Sequence, residues 1–288
     1  MYKVCILGCE NTHADAFMKV VITDKFAEDI EFVGVYSDEE AAMQKLNEKY
    51  GVYMMKSYDE MVGKVDGIIV TARHGDNHYK YAKPYMESGI PMFIDKPITC
   101  SEKDALMLKS DLIKYNIKVC GGSSVPLSEN ITEIKKDIVS GEFGAIRGGY
   151  VVMPVSLTNS YGGFFFYSQH LAQVVCELFG YYPESVRVTK TETVLSCIIR
   201  YKDFDVCVQY PDKSDLYHAN VVLEKKVTGG RISLSGCYEK EFEEFYNILK
   251  GGRQKVTYDE FIAPVFLINA INRSIESGKE ENVKKITE

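Results

Sequence analysis

Short apolar runs alternate with longer amphipathic stretches through the first 122 residues of the chain. The stretches 14–21, 41–50 and 79–88 place apolar residues at helical spacing. Strands that alternate with helices predict an α/β unit with a doubly wound parallel sheet. The runs that have the length and composition of buried strands are 3–8, 31–36, 67–70, 90–94 and 119–122.

The pattern changes beyond residue 122, where a helical stretch at 130–140 is followed by a series of extended runs. One further helix, 170–179, interrupts this series. We therefore predict two domains, residues 1–122 as the α/β unit and residues 123–288 as an α+β unit with an open, mostly antiparallel sheet. The extended runs, which turn-like residues separate, are 148–155, 185–191, 193–201, 206–210, 219–223 and 231–234.

Composition and charge narrow the class of protein. With 288 residues and 45% hydrophobic content the chain can bury a substantial core, and its net charge of −7 argues against a nucleic-acid-binding surface. The eight cysteines are scattered without any Cys-x-x-Cys pair, which favours reduced thiols in a cytoplasmic protein over disulfides or a zinc site. Neither a signal peptide nor a run of membrane-spanning length is recognisable, so we expect no membrane partner.

The loop after the first strand, Gly8-Cys9-Glu10-Asn11-Thr12-His13, carries the first candidate chemistry. A strand, a short loop and a helix begin the Rossmann dinucleotide-binding unit, whose loop has the pattern G-x-G-x-x-G. Only Gly8 is present here, because Glu10 and His13 take the other two places. A carboxylate about 4 Å from a pyrophosphate would cost roughly 4 kcal/mol, so Glu10 must point away, be paired or exclude the dinucleotide. Asn11 or Thr12 is expected to cap the helix.

The second strand ends at Ser37-Asp38-Glu39-Glu40. An acid at this place would hold the ribose hydroxyls of an adenosine, and Asp38 is the best candidate with Ser37 beside it. The cluster contains no Lys or Arg to bind a 2′-phosphate, which favours NAD over NADP. Acidic residues also suit a solvated helix start, so both interpretations of this cluster stay open.

The third strand runs into Thr71-Ala72-Arg73-His74-Gly75-Asp76-Asn77-His78. His74 and His78 stand four residues apart and, with Asp76, could form a metal site on a helix. Gly75 makes a helix through both histidines doubtful, so we predict no metal. We expect His78 instead to start the next helix and to face the cleft.

The fourth strand ends in Asp95-Lys96-Pro97. Pro97 has no N–H group and cannot continue a central strand, so Asp95 and Lys96 lie at the carboxyl end of the sheet, where such folds bind ligands. The Lys96 ammonium could donate hydrogen bonds to a substrate hydroxyl or carbonyl oxygen. Asp95 could orient it.

These segments together resemble the Gfo/Idh/MocA family of oxidoreductases, which includes glucose–fructose oxidoreductase and inositol 2-dehydrogenase. The family's glycine loop, acid after the second strand, Thr-Pro-x-x-x-His-like loop and Glu-Lys-Pro match residues 8–13, 37–38, 71–78 and 95–97. Residues 162–170 are similar to its glycine-rich segment ending in Asp-x-x-x-His, and residues 271–278 to its C-terminal helix. The resemblance therefore spans nearly the whole chain, in order.

The resemblance implies roles for particular residues. Lys96 would hold the reacting oxygen, His170 would take or give the proton, and Asp95 would orient Lys96. Phe166 stands where the family has its catalytic Asp, so Tyr167 is the candidate to replace that acid, while residues 164–166 read as core aromatics. The expected cofactor contacts are Gly8, Glu10, Asn11, Thr12, His13, Ser37, Asp38, Thr71, Ala72, Arg73, His74, His78 and Lys96.

The sequence thus predicts an NAD(H)-dependent oxidoreductase acting on a sugar, polyol or related hydroxy compound. The alternative is a catalytically weak regulator or sensor that binds a nucleotide or sugar, which Glu10 and Phe166 favour and Lys96 and His170 oppose. A third possibility keeps NAD but uses transient oxidation for elimination or hydrolysis. The resemblance also implies a homodimer or homotetramer that assembles through the C-terminal sheet.

Overall fold

The computed structural model describes residues 1–286, which form two compact units. The first unit contains Met1–Gly122 and Tyr238–Phe261, and the second contains Ser123–Cys237 and the chain from Ile262 onward. The sequence analysis placed residues 238–261 in the second domain. They belong to the first unit because their apolar side chains join its core, namely Phe242, Phe245, Ile248 and Leu249.

The first unit contains a five-stranded parallel sheet in the order β2-β1-β3-β4-β5. Its strands are β1 (Tyr2–Leu7), β2 (Ile30–Tyr36), β3 (Gly67–Val70), β4 (Met92–Asp95) and β5 (Val119–Gly122). Between them run α1 (Thr12–Met18), α2 (Glu40–Tyr50), α3 (Asp76–Ala82) and α4 (Glu102–Lys114). The predicted doubly wound parallel sheet is confirmed. Its order reverses between β1 and β3, and such folds bind ligands at that point, outside the carboxyl ends of the strands.

Two predicted helices continue in irregular form. Helix α1 passes into a wider π-helical turn at Lys19–Thr23, and α3 passes into a tighter 3₁₀ segment at Lys83–Ser88. Apolar spacing predicted both stretches as helical, but it does not distinguish these variants from an α-helix.

The second unit contains a seven-stranded sheet in the order β11-β10-β6-β9-β8-β7-β12. Only the β6–β9 pair is parallel, so the predicted open, mostly antiparallel sheet is confirmed. The strands are β6 (Ile146–Val152), β7 (Ser185–Lys190), β8 (Val194–Arg200), β9 (Asp205–Pro211), β10 (His218–Leu223), β11 (Val227–Arg231) and β12 (Glu280–Asn282). The remaining α-helices of residues 1–286 are α5 (Glu129–Ser140), α6 (Phe165–Phe179), α7 (Cys237–Leu249) and α8 (Tyr258–Ser277).

Several elements differ from the sequence analysis. The strand expected at 231–234 is β11, which ends at Arg231. The sequence analysis placed it too late because the paired segment includes Gly229 and Gly230, which lack strand propensity. Helix α6 begins at Phe165 rather than at His170. Helix α7 was not predicted at all.

Gly8 fixes how closely the loops after β1 and β3 approach. Its φ is +80°, and a Cβ at this position would lie 2.3 Å from the Ala72 backbone, where no side chain fits. The Thr71 hydroxyl donates a 3.0 Å hydrogen bond to the Gly8 carbonyl oxygen. The first glycine of the loop is therefore required by packing between the two loops.

The cysteines and helices agree with two expectations from composition. All eight cysteines are free thiols and six of them are buried, which confirms the prediction of reduced, mostly buried thiols. Within residues 1–286, no helix is both long enough and apolar enough to cross a bilayer.

Candidate active site

A buried cluster around Asp95 joins the end of β4 to the loop after β1. Asp95 has no exposed surface; its Oδ2 accepts a 3.2 Å hydrogen bond from Asn11 Nδ2 and lies 2.7 Å from His13 Nδ1. Its Oδ1 accepts a 2.7 Å bond from the Lys96 backbone N–H. Asn11 and His13 therefore turn toward the protein and position Asp95.

The charges of Asp95 and Lys96 are set by this environment. Burial by itself raises the pKa of Asp95, but the neighbouring His13 and Lys96 outweigh it and the pKa lies below its usual value. Lys96 is only 4% exposed, and burial lowers its pKa although Asp95 opposes that change. The direct contact between the two residues joins the Asp95 carboxylate to the Lys96 backbone, so Asp95 anchors the strand end that carries Lys96.

Glu10 is paired within the protein, which was one of the three alternatives left by the sequence. Its Oε2 accepts a 2.8 Å hydrogen bond from Ser37 Oγ, and its Oε1 accepts a 2.9 Å bond from the Arg73 backbone N–H. This carboxylate links the loops that follow β1, β2 and β3. Ser37 is 3% exposed and its hydroxyl is already directed at Glu10.

Asp38 is exposed and held by two tyrosines. Its Oδ1 accepts a 2.6 Å hydrogen bond from the Tyr36 hydroxyl, and its Oδ2 accepts a 2.9 Å bond from the Tyr81 hydroxyl. These two bonds hold the pKa of Asp38 below its usual value, so the carboxylate is ionised at neutral pH. Lys80 also lowers this pKa and lies over the Tyr81 ring at 5.3 Å from its centroid. The structure thus adds a cation that is absent from the sequence cluster 37–40.

Most side chains of the loop after β3 that were expected to bind a cofactor are buried or contact other parts of the protein. Thr71 and Ala72 are fully buried against the Gly8 loop, whereas Arg73 and His74 are partly exposed. His78 has no exposed surface, and its Nε2 lies 2.6 Å from the Ala72 carbonyl oxygen. The expectation that His78 faces a cleft therefore disagrees with its position, although it does lie in the first turn of α3.

The residues that could form a metal site differ from those named in the sequence analysis. His74, Asp76 and Cys100 offer ligand atoms within 4.8 Å of one another, so Cys100 takes the place that the sequence gave to His78. Burial and the Asp76 carboxylate raise the pKa of the Cys100 thiol to about 12, so it is protonated at neutral pH. The use of no metal stays our prediction.

In the second unit, His170 has a defined partner. It is 6% exposed, and its Nδ1 lies 2.7 Å from Ser123 Oγ. The Val125 backbone N–H donates to the same oxygen at 3.2 Å, so the Ser123 hydroxyl is well placed to donate to His170. With a donor at Nδ1, the neutral His170 ring carries its proton on Nε2.

The aromatic segment before His170 has mixed roles. Phe164 is part of the core of the second unit, as predicted, and Phe165 packs against that core. The Tyr167 ring lies 5.6 Å from the His170 ring and 4.9 Å from the Phe166 ring. Tyr167 is partly exposed and adjacent to His170, which is compatible with the predicted relay role.

Several residues of the site have no recognisable signal in the sequence. Ser123 precedes His170 by 47 residues, and Tyr81 and Lys80 belong to a helix 43 and 42 residues after Asp38. Each is an ordinary polar residue at an ordinary position of its own element. Only the fold brings it to its partner.

The loops after β1 and β2 fit a dinucleotide despite the missing glycines. Glu10 and His13, which replace them, both direct their side chains to protein partners, while Thr12 is exposed. Asp38 is exposed and ionised where a ribose diol would be bound. Both features lie at the carboxyl edge of the parallel sheet.

Comparison with known proteins supports this interpretation. No relative was found among curated proteins. The fold resembles scyllo-inositol dehydrogenase from Lactobacillus casei, solved with NAD(H) and scyllo-inositol, with a TM-score of 0.85, 14% identity, and 98% of this chain and 99% of that chain covered. It also resembles myo-inositol 2-dehydrogenase from Lactobacillus plantarum, with a TM-score of 0.83, 13% identity, and 98% of this chain and 99% of that chain covered.

Because their sequence identity is low, these solved structures show the fold alone, over 98% of this chain. Residues 2–120 match the model of a family described as an oxidoreductase family with an NAD-binding Rossmann fold. Residues 2–120 are therefore similar to the NAD-binding Rossmann domain of the Gfo/Idh/MocA oxidoreductase family that the sequence resembles.

Proposed function

We propose that this protein is an NAD(H)-dependent oxidoreductase that transfers a hydride between nicotinamide and the carbinol carbon of a sugar, polyol or related hydroxy compound. The observation that carries the proposal is Lys96, a buried lysine of lowered pKa at the carboxyl edge of the parallel sheet, on a strand end anchored by Asp95. Buried amines of lowered pKa are suited to proton transfer near neutral pH.

Different residues of the chain would bind the cofactor and transfer the proton. Asp38 would bind the adenosine ribose, and the loop 8–13 would follow the pyrophosphate with Thr12 at its exposed side. When bound, NAD supplies the hydride acceptor. The Lys96 amine would hold the reacting oxygen and accept its proton, and His170 Nε2 would carry a proton to or from the substrate.

The substrate class follows from the fold relatives. Two of them are inositol dehydrogenases, and one was solved with scyllo-inositol. We therefore propose scyllo-inositol and myo-inositol as the first substrates to test, by nicotinamide absorbance with NAD in excess.

We expect the protein to bind NADH at least about tenfold more tightly than NADPH, or roughly 1.4 kcal/mol, because the ionised Asp38 repels a 2′-phosphate. Titration followed by nicotinamide fluorescence measures both dissociation constants. Asp38→Asn should remove most of the preference. Lys80→Met should increase it, because Lys80 is the nearby cation that would attract the phosphate.

Equal or tighter binding of NADPH by the unmodified protein would contradict this account of the Asp38 site. Failure to bind either nucleotide, in a protein shown to be folded by circular dichroism, would instead support the regulator or sensor interpretation.

We expect His170→Ala to lower kcat about a hundredfold, because it removes the proton carrier. Ser123→Ala should cost less, about tenfold, because the imidazole remains but loses the hydroxyl that fixes its tautomer. If Tyr167 replaces the missing acid, Tyr167→Phe should approach the His170 effect without adding to it. His218→Ala, a partly exposed histidine on β10, is the matched control and should leave kcat unchanged.

If Tyr167→Phe leaves kcat unchanged while His170→Ala lowers it strongly, the proton passes through His170 and water. If both variants keep full activity on a substrate that turns over, the assignment of His170 as proton carrier fails.

We propose in addition that the chain assembles as a homodimer or homotetramer through the second sheet. Ile198 on β8 and Val222 on β10 are 39% and 37% exposed, so this sheet has apolar side-chain surface available for such a contact. Sedimentation of the purified protein measures the state directly.

A further inference from the structure

Two tyrosines from different elements hold the Asp38 carboxylate by its two oxygens. Tyr36 ends β2 and donates to Oδ1 at 2.6 Å, while Tyr81 lies in α3 and donates to Oδ2 at 2.9 Å. An ionised carboxylate only accepts hydrogen bonds, so both hydroxyls act as donors here. Burial and Asp38 raise the pKa of Tyr36 to about 12 and also raise the pKa of Tyr81, so both hydroxyls keep their protons at neutral pH.

The rings that carry these two hydroxyls form a packed cluster with Tyr58. The centroids of the Tyr36 and Tyr81 rings lie 5.6 Å apart in an edge-to-face arrangement. The Tyr58 ring lies 5.9 Å from the first and 5.1 Å from the second. Aromatic pairs at such distances are favourable beyond the area that they bury. Because Tyr81 is only 1% exposed, the cluster holds its hydroxyl in place before any ligand binds.

The same cluster positions the neighbouring cation. The Lys80 ammonium lies 5.3 Å from the centroid of the Tyr81 ring and 5.6 Å from that of the Tyr58 ring. The face of a tyrosine ring attracts a cation at this distance. Tyr81 thus contacts the ammonium through its ring and the Asp38 carboxylate through its hydroxyl.

The pattern of donors around Asp38 is complementary to a ribose diol. Its two oxygens offer about four acceptor sites, and the tyrosine hydroxyls use one site on each oxygen. One site on each oxygen remains, which matches the two hydroxyls of an adenosine ribose. A 2′-phosphate instead brings negative charge and acceptor oxygens. The tyrosine hydroxyls cannot donate to it, because each has a single proton and that proton is directed at Asp38.

We propose that Tyr36 and Tyr81 are positioning residues that determine cofactor specificity, because they fix Asp38 in the orientation that binds the adenosine ribose and withhold their own protons from a 2′-phosphate. The inference rests on the proposed binding of NAD at Asp38. Neither hydroxyl needs to touch the cofactor, since each acts through the carboxylate. Immobilising a side chain on binding lowers affinity by about twofold to tenfold, and this loss is avoided where the protein already holds the side chain.

The test measures binding by calorimetry with ADP-ribose and 2′-phospho-ADP-ribose, which lack the nicotinamide and therefore report no hydride transfer. We expect Tyr36→Phe and Tyr81→Phe each to weaken ADP-ribose binding about threefold or more, and the double variant to weaken it about tenfold. Binding of 2′-phospho-ADP-ribose should stay unchanged or become tighter. The preference for the unphosphorylated ligand should therefore fall in all three variants.

Tyr79→Phe is the matched control. Tyr79 lies in the same helix and its hydroxyl donates to Asp111 at 2.7 Å, so this variant loses the same kind of hydrogen bond. Residues two apart in a helix face different directions, which places this bond away from Asp38. Tyr79→Phe should leave both dissociation constants unchanged, which separates the positioning of Asp38 from the stability of α3.

A second set of variants tests whether the hydroxyls act through Asp38. In the Asp38→Ala background, Tyr81→Phe should change ADP-ribose affinity by less than about twofold, because the carboxylate that it positions is gone. A loss as large as in the unmodified background would overturn the proposal, since the hydroxyl would then act by direct contact or by packing. Tighter ADP-ribose binding in Tyr36→Phe or Tyr81→Phe would also overturn it, because the hydroxyls would then compete with the ribose for Asp38.

Turnover separates this inference from the proposed function. If the protein oxidises an inositol, Tyr81→Phe should raise the KM for NAD and leave kcat unchanged. If no substrate turns over but ADP-ribose binding depends on both hydroxyls as expected, the inference holds and the proposed function alone fails. If both tyrosine variants bind ADP-ribose as Tyr79→Phe does, the inference alone fails. Absence of ADP-ribose binding to the folded, unmodified protein would overturn both.

Discussion

Lys96→Met is expected to lower kcat about a thousandfold or more while NADH still binds within a few-fold of its original affinity. Methionine keeps the length and most of the volume of the side chain but removes the amine that holds the reacting oxygen and exchanges its proton. Acid–base groups of this kind contribute about a hundredfold to ten-thousandfold. Stopped-flow kinetics with NAD and an inositol, beside fluorescence titration of NADH, separates the two effects.

The fold should tolerate this change. Lys96 is 4% exposed and its pKa is lowered by burial, so a charge at this position costs unfolding free energy that an uncharged methionine does not. Lys109→Met is the matched control, because Lys109 is also buried, at 7% exposed, but its amine pairs with Asp259 of α8 at 2.8 Å. It should lower stability and leave kcat unchanged.

The direction of pH dependence follows from the same pKa. Oxidation of a hydroxyl requires the neutral amine, so kcat should rise with pH through the Lys96 value, which lies below the usual 10.5. Lys96→Arg should be inactive at every pH, since a guanidinium does not deprotonate in a protein. Activity in Lys96→Arg equal to that of the unmodified protein would show that only a positive charge is needed.

The sequence was sufficient for the strand end that carries Asp95 and Lys96. An apolar run of strand length stops at Pro97, and this local pattern alone places two charged residues at the carboxyl edge of a parallel sheet. The fold class followed for the same reason, since periodicity reports local burial. Strand ends and sheet type are properties of short segments.

The burial of Glu241 in α7 could not be predicted from such a local pattern. Residues 239–244 contain four glutamates, and any of them would pass as part of a solvated helix face. Only the packing of Phe242 and Phe245 determines that Glu241 turns inward and Glu243 outward. The partnership between His170 and Ser123 was hidden for a similar reason, because no local pattern reports which distant side chains meet.

Glu10 departs from the family pattern, and only the fold determines whether this carboxylate excludes a dinucleotide. From sequence alone, a carboxylate in the glycine loop had three outcomes, one of which excluded the dinucleotide. The Ser37 hydroxyl and the Arg73 backbone N–H hold it within the protein. Those donors follow other strands, so the outcome required the sheet order β2-β1-β3.

Asp95→Ala is expected to lower the unfolding free energy of the first unit by about 3–5 kcal/mol, the usual cost of removing one partner from a buried charged cluster. The change leaves Asn11 Nδ2 and the Lys96 backbone N–H without their acceptor and removes the carboxylate that lies 2.7 Å from His13 Nδ1, in a place with no exposed surface. Urea denaturation followed by circular dichroism at pH 7 measures the loss. Asp24→Ala, an exposed acid 3.2 Å from Lys19, is the control and should cost about 0–1 kcal/mol.

The loss should also depend on pH in a defined direction. The folded pKa of Asp95 lies below its unfolded value of 3.8, so its contribution is present above 3.8 and is lost as pH falls through the folded value. The unmodified protein and Asp95→Ala should therefore converge in stability on acidification. His13→Ala combined with Asp95→Ala should cost less than the two single changes added together, because each removes the same contact. If Asp95→Ala is no more costly than Asp24→Ala, the cluster does not hold the strand end, and Lys96 must be positioned by other contacts.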